Sequence, residues 1–198
     1  MKLKSRLVPV GMIVTIVLLV ASCTAKNSAP ASKAAAGGAA ASAQAASVPF
    51  RTETHDNVTF QWRVNRGGTM DCTLSAPTTG WVAVGWGHDG VIKGSEIIVG
   101  YVKDGQTTIV DTFGDAPSHA KLVTDLGNDD IISNKSGSVE NGTTKLEFTL
   151  QMHAIGDYHD PLNSGQTYEF IFLHGPNGAQ DLSSFPGTNK PVAVEVVL

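Results

Sequence analysis

From residue 48 onward the chain alternates apolar and polar positions in short runs. Val58-Thr59-Phe60-Gln61-Trp62-Arg63-Val64 puts an apolar side chain at every second residue, the period of a strand with one buried face. Asn65-Arg66-Gly67-Gly68 reads as a hairpin turn. Thr69 to Ser75 is the returning strand, with Met70, Cys72 and Leu74 in phase as core residues. Further strands are predicted at Gly80–Trp86, Glu96–Val102, Thr107–Asp111, Ser138–Val139, Thr143–Leu150, Tyr168–Leu173 and Val192–Leu198. Asp104-Gly105 and Asn141-Gly142 suit the positive φ angles of two-residue hairpin loops. No helical periodicity intervenes, so eight or nine hairpin-linked strands predict an all-β, antiparallel sandwich. Trp81-Val82-Ala83-Val84-Gly85-Trp86-Gly87 breaks the alternation, being almost continuously apolar. It is either a central strand packed on both faces or a place where glycines admit another backbone or a flat ligand.

The first 47 residues read differently. Lys2, Lys4 and Arg6 precede an apolar stretch from Leu7 to Val20, and Ala21-Ser22-Cys23 follows. That is the layout of a secretory signal over residues 1–22, too short and too soon polar for a good membrane span. Val20-Ala21-Ser22-Cys23 resembles the lipobox of bacterial lipoproteins. The resemblance implies cleavage before Cys23, lipid (diacylglycerol and a fatty acid such as palmitate) on that residue, and a protein tethered outside the cytoplasm. Residues 23–47 are mostly Ala, Ser and Gly. Such a composition cannot bury enough surface to offset its ordering entropy. It predicts a disordered tether reaching about 25–30 Å. Residues 48–198 then form one domain of ordinary size.

Charge and chemistry narrow the function. Removing Lys2, Lys4 and Arg6 leaves 11 of the 14 basic residues against 18 acidic ones, a net charge of −7. No basic stripe is present, which excludes nucleic acid as a partner. With Cys23 lipidated, Cys72 has no intramolecular partner. No Gly-x-Ser-x-Gly elbow, phosphate loop or His-Glu-x-x-His pattern occurs, so no enzyme is expected. His153, Asp157, His159 and Asp160 crowd eight residues with metal-ligand types, but turns separate them. Asp125, Asn128, Asp129 and Asp130 offer oxygens without a calcium-loop spacing. His119 reads as a solvated loop residue, and Met70 and Met152 as core.

Several blocks in order resemble the DOMON domain family. They are Val58-Thr59-Phe60-Gln61-Trp62, Ser75-Ala76-Pro77-Thr78-Thr79-Gly80-Trp81-Val82-Ala83-Val84-Gly85-Trp86-Gly87, and Lys93-Gly94-Ser95-Glu96-Ile97-Ile98-Val99-Gly100-Tyr101-Val102-Lys103-Asp104-Gly105. Thr124-Asp125-Leu126-Gly127-Asn128-Asp129-Asp130-Ile131 and Asn141-Gly142-Thr143-Thr144-Lys145-Leu146-Glu147-Phe148 extend the match. The resemblance implies an immunoglobulin-like sandwich with a pocket at one end that holds b-type haem for electron transfer, or a sugar, or nothing. The haem-binding branch places a Met before the Lys-Gly block and a His after the penultimate strand. Here those slots hold Ile92 and Phe185 or Pro186, none of which offers iron a lone pair. His88 and His174 lie in the same two regions and are the expected axial ligands if haem b binds. Trp81 and Trp86, with Tyr101 and Tyr158, are the expected stacking faces if a sugar or small molecule binds instead. A redox protein is the partner in the first case. A surface lipoprotein without a small ligand is the third reading.

The lipid anchor has a direct test. Cys23→Ser should move the protein from the membrane fraction to the soluble one, since stable anchoring rests on the acyl chains. Retention in membranes would show that something other than the lipid holds it.

Overall fold

The structure is a computed structural model that describes residues 48–87, 89–153, 156–187 and 190–198. The signal, Cys23, the tether and His88 lie outside the described residues.

Two antiparallel sheets face each other. The first is ordered β1 (Arg51–His55), β2 (Val58–Val64), β3 (Thr69–Ala76), β9 (Thr143–Gln151) and β8 (Ile132–Glu140). The second is ordered β11 (Val192–Val197), β10 (Thr167–His174), β4 (Val82–Gly87), β5 (Glu96–Lys103), β6 (Gln106–Ala116) and β7 (His119–Leu122). One 3-10 turn, Val123–Leu126, follows β7. Among the described residues there is no α-helix, and so none long and apolar enough to cross a membrane.

The expected hairpins form for the expected reason. Asp104 and Gly105 have φ of 50° and 75°, as do Asn141 and Gly142, the mirror-image turn that matches strand twist. Two strands were not predicted. β1 reads Arg-Thr-Glu-Thr-His and carries no apolar alternation. It pairs with β2 through Asp56-Asn57, whose φ values of 48° and 62° make the same kind of turn without a glycine. β7 is a four-residue edge strand joined to β6 across a bulge at Gly114/Ala116. β6 and β8 also run further than predicted, β8 through a bulge at Ser133/Ser136 with Asn134 in the left-handed region.

The core between the sheets includes Phe60, Trp62, Met70, Cys72 and Leu74 from one side and Val84, Trp86, Ile98, Phe170 and Phe172 from the other. Aromatic stacking of Phe60 on Trp62 and Phe170, at 5.3 and 5.9 Å, joins the two layers. Cys72 and the two methionines take the packing roles expected of them. Burial in apolar surroundings pushes the Cys72 thiol well above its ordinary pKa, so it stays protonated.

A second apolar layer covers the outer face of the six-stranded sheet. Trp81, Ala83, Ile97, Val99, Ile171 and Leu173 lie there beneath Ile92, Leu182 and Phe185. This is why the run from Trp81 is apolar throughout: β4 is buried on both faces. Gly85 is a packing site. A Cβ there would meet the Glu96 carbonyl and Ile97 at 2.8 Å.

Leu146 tests the inner core. It is fully buried and its methyls occupy the space that side chains at Gly100 and Gly137 would need. Leu146→Ala should cost about 2–5 kcal/mol, measured by denaturant unfolding. A loss under about 1 kcal/mol would mean that the two sheets close over the gap.

Candidate functional site

The strand phase decides where each candidate side chain sits. In β4 and β10, Val84, Trp86, Phe170 and Phe172 point into the sandwich, while Ala83, Ile171 and Leu173 point outward. The slots where the haem-binding pattern carries Met and His fall on the outward layer. Ile92 is 3 % exposed and belongs to the same apolar cluster as Trp81. Phe185 packs edge-on against Trp81, ring centroids 5.1 Å apart. The Trp81 indole N–H donates to Ser184 Oγ at 2.9 Å, fixing that segment to the sheet. Both family positions thus hold hydrocarbon that packs into the outer apolar layer.

Of the histidines expected to replace them, His88 lies outside the described residues and only His174 is placed. His174 ends β10 in phase with Phe170 and Phe172, on the inner face, opposite Val82. Gly87, the chain neighbour of His88, pairs with Glu169 at the other end of the same ladder. Five register steps separate the two ends, about 17 Å along a strand. The inner face between them is occupied by Val84, Phe170 and Phe172, each no more than 1 % exposed. Ile92 and Phe185, at the family positions, offer iron no lone pair.

Trp81 and Trp86 also differ from expectation. Both are buried, 1 % and 2 % exposed, so neither presents a stacking face to a ligand. Trp86 instead donates its indole N–H to the Asp160 carbonyl at 2.8 Å. Of the two tyrosines, Tyr158 packs edge-on against Phe113 at 5.1 Å.

Beside the outer apolar layer lies an open cleft of about 590 Å³. Phe185, Leu182 and Leu126 supply its apolar walls, and Thr112, His119, Lys121 and Asp125 its polar ones. His119, expected to be a bystander, belongs here because β7 pairs with β6 and carries it to the rim. Asp115 accepts from both His119 and Lys121, the latter at 3.0 Å. Those two partners hold its carboxyl below the usual carboxylate range. A mixed apolar and polar cleft of this volume is the size of a small-ligand site.

A second constellation sits on the opposite face of β6, at the end of the sandwich. Glu96 and Asp111 point inward from β5 and β6 on diagonal positions, since Ile98 is the partner of Asp111 and Phe113 that of Glu96. The loop between β9 and β10 lays His159 over them. His159 Nδ1 is 2.8 Å from Glu96 Oε1 and 3.6 Å from Asp111 Oδ2, with all three side chains no more than 2 % exposed. Glu96 Oε2 accepts the Asp160 N–H at 2.7 Å. Trp86 and Glu96, cross-strand partners, thus grip the two sides of one loop residue's backbone. Neither Asp111 oxygen meets an N–H donor within hydrogen-bonding distance, the Glu96 carboxyl lying in that range instead, and His159 Nε2 is also unpaired. Burial, then the Glu96 charge, pushes the Asp111 carboxyl up to about 9. Burial raises Glu96 too, against the hydrogen bond from His159.

Of the metal-ligand types grouped in residues 153–160, only the His159 side chain enters this cluster. His153 and Asp157 are exposed, and Asp160 contributes its backbone. Asp125, Asp129 and Asp130 do not gather into a ligand set. Asp130 is engaged by the Ile132 N–H at 2.9 Å and Lys135 Nζ at 2.5 Å. Sequence reasoning missed Glu96 and Asp111. A signal existed: each carries a charge at a core-phase strand position, two residues from Ile98 and Ile109.

Comparison with known proteins agrees with the β-sandwich fold. Residues 54–175 match the DOMON domain family, and the chain belongs to it. Two solved structures share the fold. One is the cytochrome domain of cellobiose dehydrogenase from Myriococcum thermophilum, with TM-score 0.58 and 12 % identity, covering 76 % of this chain and 83 % of that one. The other is the cytochrome b domain of pyranose dehydrogenase from Coprinopsis cinerea, with TM-score 0.51 and 12 % identity, covering 74 % and 80 %. No curated protein matches the sequence.

The raised Asp111 carboxyl makes stability depend on pH. The folded state holds a proton that the unfolded chain, with its ordinary value of 3.8, releases. The contribution of Asp111 to stability should therefore be full below about pH 4 and be lost as pH rises toward about 9. Glu96 adds to the same trend, and Lys135 opposes it while Asp130 reinforces it. Asp111→Asn should flatten the fall when melting temperature is followed from pH 5 to 8.5 in a chelating buffer. An unchanged pH profile in the variant would place the dependence elsewhere.

Proposed function

We propose that this chain is an extracytoplasmic DOMON binding module, held to a bacterial membrane by lipid on Cys23, that takes a sugar or another small polar ligand without using haem. The observation that carries the reading is the convergence of Ile92 and Phe185 on one apolar cluster closed by Trp81. Iron needs a lone pair from each side, and neither Ile nor Phe has one. The open cleft next to that cluster offers what a sugar needs instead. Phe185 is half-buried and supplies an aromatic edge, while His119, Lys121 and Asp125 supply charged and hydrogen-bonding groups.

The second reading is a b-type haem module passing electrons to a redox partner. Its support is the shared fold with two cytochrome domains. At 12 % identity that likeness carries the architecture and not the ligand set.

The full chain, purified in detergent without a tag, separates these readings. Haem titration should give no low-spin Soret band above that of free haem. A panel of mono- and disaccharides, followed by NMR shifts, should perturb residues around Phe185 and Lys121, and Phe185→Ala should weaken the interaction by about tenfold or more, the loss of one aromatic contact. A stoichiometric low-spin haem spectrum would overturn the proposal. Failure of every saccharide to shift the cleft would leave a surface interaction module and remove the sugar reading.

A further inference from the structure

We propose that Glu96, Asp111 and His159 form a site for one divalent transition-metal ion of the zinc class, tying β5, β6 and the β9–β10 loop together at the end of the sandwich. The site is independent of the ligand cleft, because Asp111 and Thr112 point to opposite faces of β6.

The donor atoms are already gathered. One nitrogen and two carboxylate oxygens lie within 4.8 Å of one another, the single group of this kind among the described residues. A tetrahedral ion with bonds of about 2.1 Å holds its ligand atoms about 3.4 Å apart. The observed separations of 2.8 and 3.6 Å from His159 Nδ1 bracket that edge. Glu96 is oriented for the task. Its Oε2 is held by the Asp160 N–H, which turns Oε1 toward the imidazole. That is the kind of outer contact that fixes a metal-ligating side chain.

Asp111 supplies the independent observation. It is buried, aimed at the cluster, and meets no N–H donor. What faces it is a second buried carboxyl, that of Glu96. Two desolvated carboxylates repel each other, and leaving either unpaired is costly. Lys135 does not answer the charge by contact, because its ammonium binds Asp130. A divalent ion would balance both carboxylates at once. A small cavity of about 60 Å³, lined by Val110, Asp111, Leu122, Val123, Thr124 and Asp130, adjoins Asp111.

The donor set selects the class. An imidazole with two carboxylates suits zinc or a neighbouring transition ion, while calcium takes six to eight oxygens, about twice what is available. The alternative occupant is a proton shared between the two carboxyls, and the experiment must distinguish the two.

The full-length, untagged chain, purified in detergent, stripped with EDTA and dialysed, should rebind one Zn²⁺ per chain by elemental analysis and melt at a higher temperature. Calcium should give neither effect. Asp111→Asn and Glu96→Gln, close in shape to the native residues, should each weaken zinc binding by at least about 100-fold, beyond the loss expected for an outer contact. No retained ion and no thermal shift would overturn the proposal and leave the shared proton. Equal zinc affinity in Asp111→Asn would also overturn it, by placing the ion elsewhere. Should either variant fail to fold, X-ray absorption on the wild-type zinc form decides. One imidazole nitrogen per zinc is expected, and none, or two or more, refutes the assignment.

Discussion

The six-stranded sheet is apolar on both faces, and most of the molecule follows from the need to cover it twice. Its inner face is covered by the five-stranded sheet, which gives the sandwich. Its outer face, with Trp81, Ile97, Val99 and Ile171, is too large an apolar surface to leave in water. In this chain the cover comes from its own sequence: Ile92 from the β4–β5 loop and Leu182 and Phe185 from the segment after β10. Gly114 marks how tightly the first of these is seated, since a Cβ there would lie 1.8 Å from the Ile92 carbonyl. A flat prosthetic group would compete for the surface these side chains already occupy. The same constraint that stabilises the fold therefore works against haem at the family's usual place.

The cover is also what shapes the remaining surface. Phe185 closes one side of the open cleft while packing on Trp81 with its other edge. β7 closes the opposite side, because the turn at Pro117-Ser118 brings it back along β6. A binding wall and a structural lid are thus the same residues. A change at Phe185 reaches both the ligand cleft and the outer apolar layer, so effects on binding there need to be read beside stability.

The sandwich was legible wherever alternation was clean. β2 and β3 were readable within a residue, because Val58, Phe60 and Trp62 face one way and Met70, Cys72 and Leu74 pair with them. The glycine-containing turns at 104–105 and 141–142 were readable for the same local reason. β1 was not, since an edge strand exposed on most of its length carries no core pattern. The site was far less legible. The family slots at Ile92 and at Phe185 or Pro186 rested on the resemblance alone, and the substitute pair His88 and His174 on loop proximity along the sequence. His88 lies outside the described residues, and His174 ends β10 opposite Val82, at the far end of the ladder from Gly87. Trp81 and Trp86 looked available because aromatic residues beside glycines suit a flat ligand. Burial on both faces of β4 removed them from the surface.

The Glu96–Asp111–His159 cluster shows what kind of site a linear reading hides. Its members come from three segments, and the pair on adjacent strands meets only through the diagonal of an antiparallel ladder. Hydrophobic patterning treats a charged residue at a core position as an imperfection in a strand. Physically it is the reverse. A carboxyl placed in phase with Ile98 or Ile109 must be desolvated on folding, and that cost persists unless something compensates it. Two such positions on neighbouring strands, under a histidine-bearing loop clamped by Trp86 and Glu96, concentrate the cost at one point. The clamp holds the loop by its backbone and leaves the ionisable side chains turned inward. A loop that served only to close the sandwich could do so with apolar residues at lower cost. Keeping three ionisable groups there makes the end of the sandwich responsive to whatever neutralises them.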